Sequence, residues 1–418
     1  MMEKSAASPG LKEAVHDAGA SIRKLQLYWL LQITKAINYN LPAVELFRIY
    51  EQVMKEQLKV RKLVFFLHEG KWSKILSYGV PVDFMSTDLE SRFGELNELQ
   101  YNNVHMPDWV EGFDSIIPVF HDGKALAYAF ISDLQHEDVE HLKEILPFIH
   151  TITNIIVVAI ENKRLTKESI LQAQLQRELE LAAEMQSMLF PDELPVNSRF
   201  DLAATSIPHQ QVGGDYYDYI QLSSDEYLVC LADVSGKGVS AALLMSNFQA
   251  NLQANAAHFS SLKGLASELN RVVNRTARGE RFITAFLGVI NISSRRLSFI
   301  NAGHNPPLLY HQGQFSFLEK GTTGLGMFPE LPFVEEDSIE LPTGAVLLCY
   351  TDGIVEQENE GGEPFGTSGL MRFLEENNFS AMQSLNQKLL DQFQNFRQSA
   401  EPLDDVTLLS FRFRNGLG

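Results

Sequence analysis

One stretch divides the chain before any other feature is weighed. Residues 161–190, ENKRLTKESILQAQLQRELELAAEMQSMLF, contain neither glycine nor proline. Leu171, Leu175, Ala182, Met185 and Leu189 recur near a three-four spacing with Glu, Gln and Arg between them, which predicts one long helix. The segment FPDELP that follows stops it, because proline cannot continue a helix. Such a run either packs on its own domain or connects two modules and pairs with a copy of itself. Its unbroken length favours a connector helix over 164–195 and a homodimer, although the heptad pattern is imperfect. A chain of 418 residues, at roughly 100–200 per domain, leaves room for two or three units around it.

Ahead of that helix the chain mixes element types. The polar residues 1–20 are expected to form a flexible N-terminus, with the pattern of neither a signal peptide nor an anchor. SIRKLQLYWLLQITKAI (21–37) and AVELFRIYEQVMKEQL (43–58) carry apolar residues at helical spacing. KLVFFLHEGKW (62–72) and GFDSIIPVFHDGKALAYAFIS (112–132) read as hairpins, the second turning at Asp122–Gly123. EILPFIHTITNIIVVAIENKR (144–164) closes a small α+β module over 21–163. Its apolar run, Ile145–Ile160, is interrupted by Pro147, His150, Thr151, Thr153 and Asn154. It is also shorter than the ~20 residues a spanning helix needs, so no membrane span is expected.

Charge narrows the partners. Lys and Arg number 34 against 53 Asp and Glu, a formal charge of −19, which argues against nucleic acid or anionic lipid. The balance suits carboxylates gathered for cations. Cys230 and Cys349 are the only cysteines, each inside an apolar run, which suggests a reducing compartment and a cytoplasmic protein, and rules out a cysteine-rich zinc site.

Residues 196–418 alternate helical runs (239–257, 261–276, 381–396) with β-branched and aromatic strands (281–293, 296–304, 306–311, 345–353, 404–413). Strands bracketing helices without regular βαβ alternation predict an antiparallel sandwich, and an α+β class for the whole chain. Aspartates fall repeatedly at strand ends: Asp233 after the run 227–232, Asp352 after 346–351, Asp404 and Asp405 before 406–413, and Asp215 before Tyr216. Any one of them is explained by turn chemistry or edge protection. Together, beside Gly213, Gly214, Gly236, Gly238 and Gly353, they suggest a site. Clustered carboxylates repel unless cations share them, and oxygen ligands without a His or Cys cluster favour Mg2+ or Mn2+. Two such ions can hold a water and clamp a phosphoryl group for in-line attack.

Six blocks, in order, carry a resemblance: VGGDYYDYI (212–220), LADVSGKGVSAALLMS (231–246), FITAFLGVI (282–290), INAGHNPPLLY (300–310), YTDGIVEQENEGGEPFG (350–366) and DDVTLL (404–409). They resemble the metal-dependent protein phosphatases (PPM family, type 2C fold), in the SpoIIE/RsbU-like branch, over about 196–415. The resemblance implies an α/β-β/α sandwich with two Mn2+ or Mg2+ at one end. It also implies hydrolysis of phosphoserine or phosphothreonine on a protein by a water bridging both ions. By position, Asp233 bridges the metals and the Val234 carbonyl serves one; Asp215 matches the first-metal side, Asp352 and Asp404 the second. Asp405 matches a supporting position, as does Gly353, and Asp218 acts at most through a water. The branch generally lacks the phosphate-binding Arg of its eukaryotic relatives, no substitute is evident here, and Lys237 receives no role. The implied substrate is a phosphorylated STAS-type anti-sigma-factor antagonist.

His304 in NAGHNPP is either a general acid or a turn residue before Pro306 and Pro307, and Thr284 is read as packing within its strand. SGKGV is not a phosphate loop, since Gly238 stands where Ser or Thr is required. Two rival functions remain. GGDYYD loosely matches the diguanylate cyclase signature, but Tyr216–Tyr217 fit it poorly and it leaves YTDG and DDVT unexplained. A phosphatase-shaped binding module without catalysis is the other. The front half resembles a GAF-type sensor in its order of elements and its second hairpin, the alternative being a scaffold that only dimerises. It has no cysteine for a bilin, and His68 and His105 are not diagnostic of haem.

Overall fold

In a computed structural model, residues 9–80, 100–101, 112–134, 139–191, 194–195 and 198–414 are described; His105 lies outside them. The chain divides into Met1–Ala173 and Gln174–Gly418. The first unit opens with α1 (Pro9–Asn38), so residues 9–20 are helical where a flexible tail was expected. After α2 (Ala43–Gln52), which runs on into a π turn, come β1 (Val60–His68), β2 (Trp72–Tyr78), β3 (Gln100–Tyr101), β4 (Ser115–His121) and β5 (Lys124–Leu134). They form one antiparallel sheet in the order β2-β1-β5-β4-β3. Asp122 and Gly123 both take positive φ, 48° and 74°, as the tight turn between β4 and β5 demands. Alternation splits β1: Leu63, Phe65 and Leu67 join the helical core, while Val64 and Phe66 join a second cluster with Tyr128 and Phe130.

The closing helix of the front module and the connector are a single helix, α3 (Val139–Ser187), with Pro147 inside it. The division into units falls within it, at Ala173, rather than at either expected boundary of the connector. By length and composition its Ile145–Ser187 portion could cross a bilayer. Here Ile149, Ile152, Ile156 and Val157 are buried in the first unit's core. Further on, Leu165, Ile170, Leu171, Leu175, Leu181 and Met185 are 42–71% exposed.

The second unit is two facing sheets with helices outside both. β7 (Tyr216–Gln221), β8 (Glu226–Val234), β9 (Ile283–Asn291), β10 (Arg296–Ala302) and the short β13 (Gly321–Thr322) form one sheet, with β14 (Asp337–Glu340) beside β10. The other runs β12 (Gln314–Phe317), β11 (Leu308–His311), β15 (Val346–Tyr350), β16 (Val406–Phe413), β6 (Phe200–Ile207). β6 has no counterpart among the sequence-based expectations.

The run YLVCLADV in β8 shows why the layers form. Tyr227, Val229 and Leu231 face the opposite sheet and share one core cluster with its Phe200, Leu347 and Phe411. Leu228, Cys230, Ala232 and Val234 face α4 (Val239–Ala256) and α5 (Leu262–Ala277). β15 divides likewise: Leu347 and Cys349 point between the sheets, Val346, Leu348 and Tyr350 toward α7 (Gly366–Glu376) and α8 (Met382–Arg397). A strand apolar on both faces is the signature of burial between two layers. Each fully buried Phe in the inter-sheet layer contributes about 1.5–3 kcal/mol. Ser261 caps α5, its Oγ accepting from the Gly264 N–H at 3.2 Å, and Arg278 ends the helix in the left-handed region.

Candidate metal centre

The alternation that builds the inter-sheet layer also decides which polar groups stand at its end. Continuing β8 by two from Leu231 puts Asp233 on the inter-sheet side, and continuing β15 from Cys349 puts Thr351 there. Counting back along β7 from Tyr219 and Tyr217, which pack against that layer, gives Asp215. Thr407 has the parity of Leu409 and Phe411. Asp218 has the opposite parity, that of Tyr216 in the helix-side core. It is buried under α4, accepting from the Tyr216 hydroxyl, from the Tyr219 N–H at 2.7 Å and from Gln253 Nε2 at 3.2 Å. Its place is structural, and the supporting role expected for it at the site does not fit this geometry.

Close backbone approaches assemble the rest. Asp352 begins the short helix α6 (Asp352–Val355), and a Cβ on Gly353 would lie 2.0 Å from the Asp405 carbonyl, so only glycine lets these two segments touch. A Cβ on Gly213 would lie 2.7 Å from Asp405 Oδ2, and one on Gly214 3.1 Å from the Val234 carbonyl. Asp405 is a brace: its carboxylate accepts from the Gly214 N–H at 2.6 Å and the His209 N–H at 2.7 Å. Asp404 accepts from the Asp405 N–H on Oδ1 at 2.9 Å and pairs through Oδ2 with Lys237 at 2.9 Å.

The electrostatics are those of crowded anions. Asp215, 4% exposed, is held well above the usual carboxylate range by burial first and then by Asp233 and Asp405, with the Thr351 hydroxyl donating to it at 2.8 Å. Burial, then Asp352, Asp404 and Asp405, push Asp233 up to about 7. Burial and then Asp404 push Asp352 up to about 6. Among the described residues no three carboxylate, imidazole or thiolate groups converge on one point, since Asp404 is drawn to Lys237 and Asp405 to backbone amides. The donor set nonetheless fits hard divalent cations. It is all oxygen, and Asp215 is a buried carboxylate whose hydrogen bonds come from uncharged groups.

His304 lies deeper than a general acid would. It is 5% exposed, its Nδ1 is 3.0 Å from the Thr284 hydroxyl, and burial pushes its imidazole down to about 4. Thr284 sits opposite Asp233 in the β8–β9 ladder, so the pair backs the strand carrying that carboxylate. Three contributors had escaped the sequence-based reading. Thr351 was legible from parity with Leu347 and Cys349. Gln186, on the last turn of α3, gives its Nε2–H to the Gly213 carbonyl at 2.8 Å and accepts from the Gly213 N–H at 3.0 Å. Arg281 braces the turn after β8, donating to the Ser235 carbonyl at 2.5 Å and to Ser240 Oγ at 2.8 Å. No local pattern marks either of these two.

Beside Gln186 lies a cavity of about 440 Å3, lined by Phe190, Ser206, Gly213, Asp215 and Asp405 among others.

Comparison with known proteins agrees with this architecture. The profile of the family Stage II sporulation protein E (SpoIIE) matches residues 223–414. The phosphoserine phosphatase RsbU of Bacillus subtilis (strain 168) is 28% identical over 244 residues, which is 58% of this chain and 72% of RsbU. The phosphoserine phosphatase RsbP of the same organism is 27% identical over 235 residues, 55% of this chain and 56% of RsbP. Among solved structures, the SiaA-PP2C domain of Pseudomonas aeruginosa superposes with a TM-score of 0.50 at 21% identity, covering 58% of this chain and 98% of that domain. The part of the chain that matches the SpoIIE profile, residues 223–414, thus includes Asp233, Asp352, Asp404 and Asp405, and it lies in a unit with the fold of PP2C domains.

Proposed function

We propose that the chain is a metal-dependent protein serine/threonine phosphatase whose site is formed by Asp215, Asp233, the Val234 carbonyl, Asp352 and Asp404. The observation that carries this reading is that carboxylates from four separate segments stand at one end of the inter-sheet layer, where burial and neighbouring carboxylates raise the pKa of Asp215, Asp233 and Asp352. Asp233 and Asp215 would hold one ion with the Val234 carbonyl, and Asp233, Asp352 and Asp404 a second. Bound Mn2+ or Mg2+ would supply Lewis acidity to activate water and neutralise phosphoryl charge. The protein's own part is placement. Thr351 orients Asp215, Asp405 ties the Gly213–Asp215 segment to the Asp404 segment, and Gly353 lets the Asp352 segment close on both.

RsbU and RsbP are phosphoserine phosphatases, which supports a phosphoprotein substrate; a STAS-type anti-sigma-factor antagonist is the partner in this reading. The front unit acts as a GAF-like sensor, and α3 pairs with a second copy along its exposed Leu171, Leu175 and Met185. Signal reaches the site through the last turn of α3, where Gln186 holds Gly213. The test is hydrolysis of p-nitrophenyl phosphate by the full chain with Mn2+, with EDTA, and as Asp352→Asn. Turnover with Mn2+ alone, lost in the other two, is expected. Absence of both turnover and Mn2+ binding by the wild-type chain would leave only the binding-module reading.

A further inference from the structure

We propose that Lys237 is the cation that binds the substrate's phosphoryl group, and that its ion pair with Asp404 is the resting position it leaves to do so. The inference rests on the phosphatase reading above and adds the phosphate-binding group which that reading lacks.

The origin of the side chain is fixed. Lys237 lies between Gly236 and Gly238, both left-handed with φ of 90° and 76°, directly after Asp233 and Val234. The turn is clamped from outside. Besides the two Arg281 bonds, the Ser235 N–H donates to the Phe282 carbonyl and the Phe282 N–H to Ser235 Oγ, both at 2.9 Å. A Cβ on Gly236 would lie 1.9 Å from Arg281 Nη1, so the guanidinium is packed into the turn. Of these two neighbouring cations, Arg281 is committed to the turn and Lys237 is turned toward the carboxylates.

The ammonium contacts Asp404 Oδ2 and the Leu403 carbonyl, and its charge is felt at both Asp233 and Asp352. The pair is open, with side chains 44% and 37% exposed. An ion pair so exposed contributes little to stability and breaks readily. Asp404 Oδ1 already accepts from the Asp405 N–H, so the ammonium covers the oxygen left for a cation ligand. Divalent cations held by these carboxylates would weaken the attraction that keeps the ammonium on Asp404. The ammonium then stands at an acidic site that must receive a dianion, on a rigid turn and exposed to solvent. A compact ammonium with three donors is suited to phosphoryl oxygens.

Inorganic phosphate is the probe, titrated calorimetrically into the Mg2+-saturated full chain as wild type, Lys237→Ala and Lys237→Arg. Lys237→Ala should weaken phosphate binding about tenfold while Mg2+ affinity is equal or tighter, and Lys237→Arg should keep most of the phosphate affinity. Equal phosphate affinity in wild type and Lys237→Ala overturns the proposal and leaves the phosphatase reading standing. A loss that only follows reduced Mg2+ binding overturns it as well. A wild-type chain that binds neither Mg2+ nor phosphate overturns both readings together. Because binding is measured rather than turnover, an inactive resting state does not obscure the answer.

Discussion

Replacing Gln186 by alanine should loosen the metal site from a position on α3 that never touches it. Gln186 closes a two-bond ring with the Gly213 backbone, at 2.8 and 3.0 Å, two residues ahead of Asp215. Each bond contributes about 1 kcal/mol net, and the adjoining cavity lets water reach the freed amide and carbonyl, so the loss is capped near 2 kcal/mol. If that energy holds the Gly213–Asp215 segment in place, its removal shifts metal binding by up to roughly 30-fold. Mn2+ affinity of the full chain, measured by calorimetry, should fall by about 10–30-fold in Gln186→Ala, with turnover largely restored at saturating Mn2+. Gln211→Ala is the control, because Gln211 meets Gln176 of the same helix at 3.4 Å on an exposed face and should change neither quantity. Mn2+ affinity and turnover within twofold of wild type in Gln186→Ala would refute the reasoning.

Two further outcomes follow from the geometry. Burial holds His304 neutral with a pKa of about 4 against 6.5 when unfolded, so its contribution is complete above pH 6.5 and is lost as pH falls through about 4. The stability difference between wild type and His304→Gln, from denaturant midpoints, should therefore narrow by about 3 kcal/mol between pH 7 and pH 4, and a constant difference would contradict it. Charging the exposed stripe of α3 with Leu171→Glu and Leu175→Glu should convert the full chain to a monomer by sedimentation without unfolding it; an unchanged assembly would remove the helix from the interface.

Much of the fold was legible because local rules and tertiary structure agree. The hairpin at Asp122–Gly123 follows from two residues that tolerate positive φ, and the helices over 239–256 and 262–277 lie close to where apolar spacing and Ser261 put them. The end of α3 at Ser187 follows from the prolines beyond it. Its beginning at Val139 was less legible, because Pro147 sits inside the helix instead of bounding it. β6 has only a short apolar pattern and pairs with the last strand, β16, a partner some 200 residues away. No local window holds that information.

At the site, the sequence by itself determined which aspartates were available, and period-two alternation separates Asp215 from Asp218 once the inter-sheet face is known. Which face that is, and what each carboxylate meets there, is a property of two sheets brought together. The contacts of Asp215 with Thr351, Asp405 with Gly214, Gln186 with Gly213 and Asp404 with Lys237 join residues from 27 to 191 positions apart in the chain. Hydrogen bonds and charge pairs depend on distance in space, and residue type alone carries no record of it. The sequence therefore supplied the charges, and packing of the two sheets and the end of α3 decided which of them share one site.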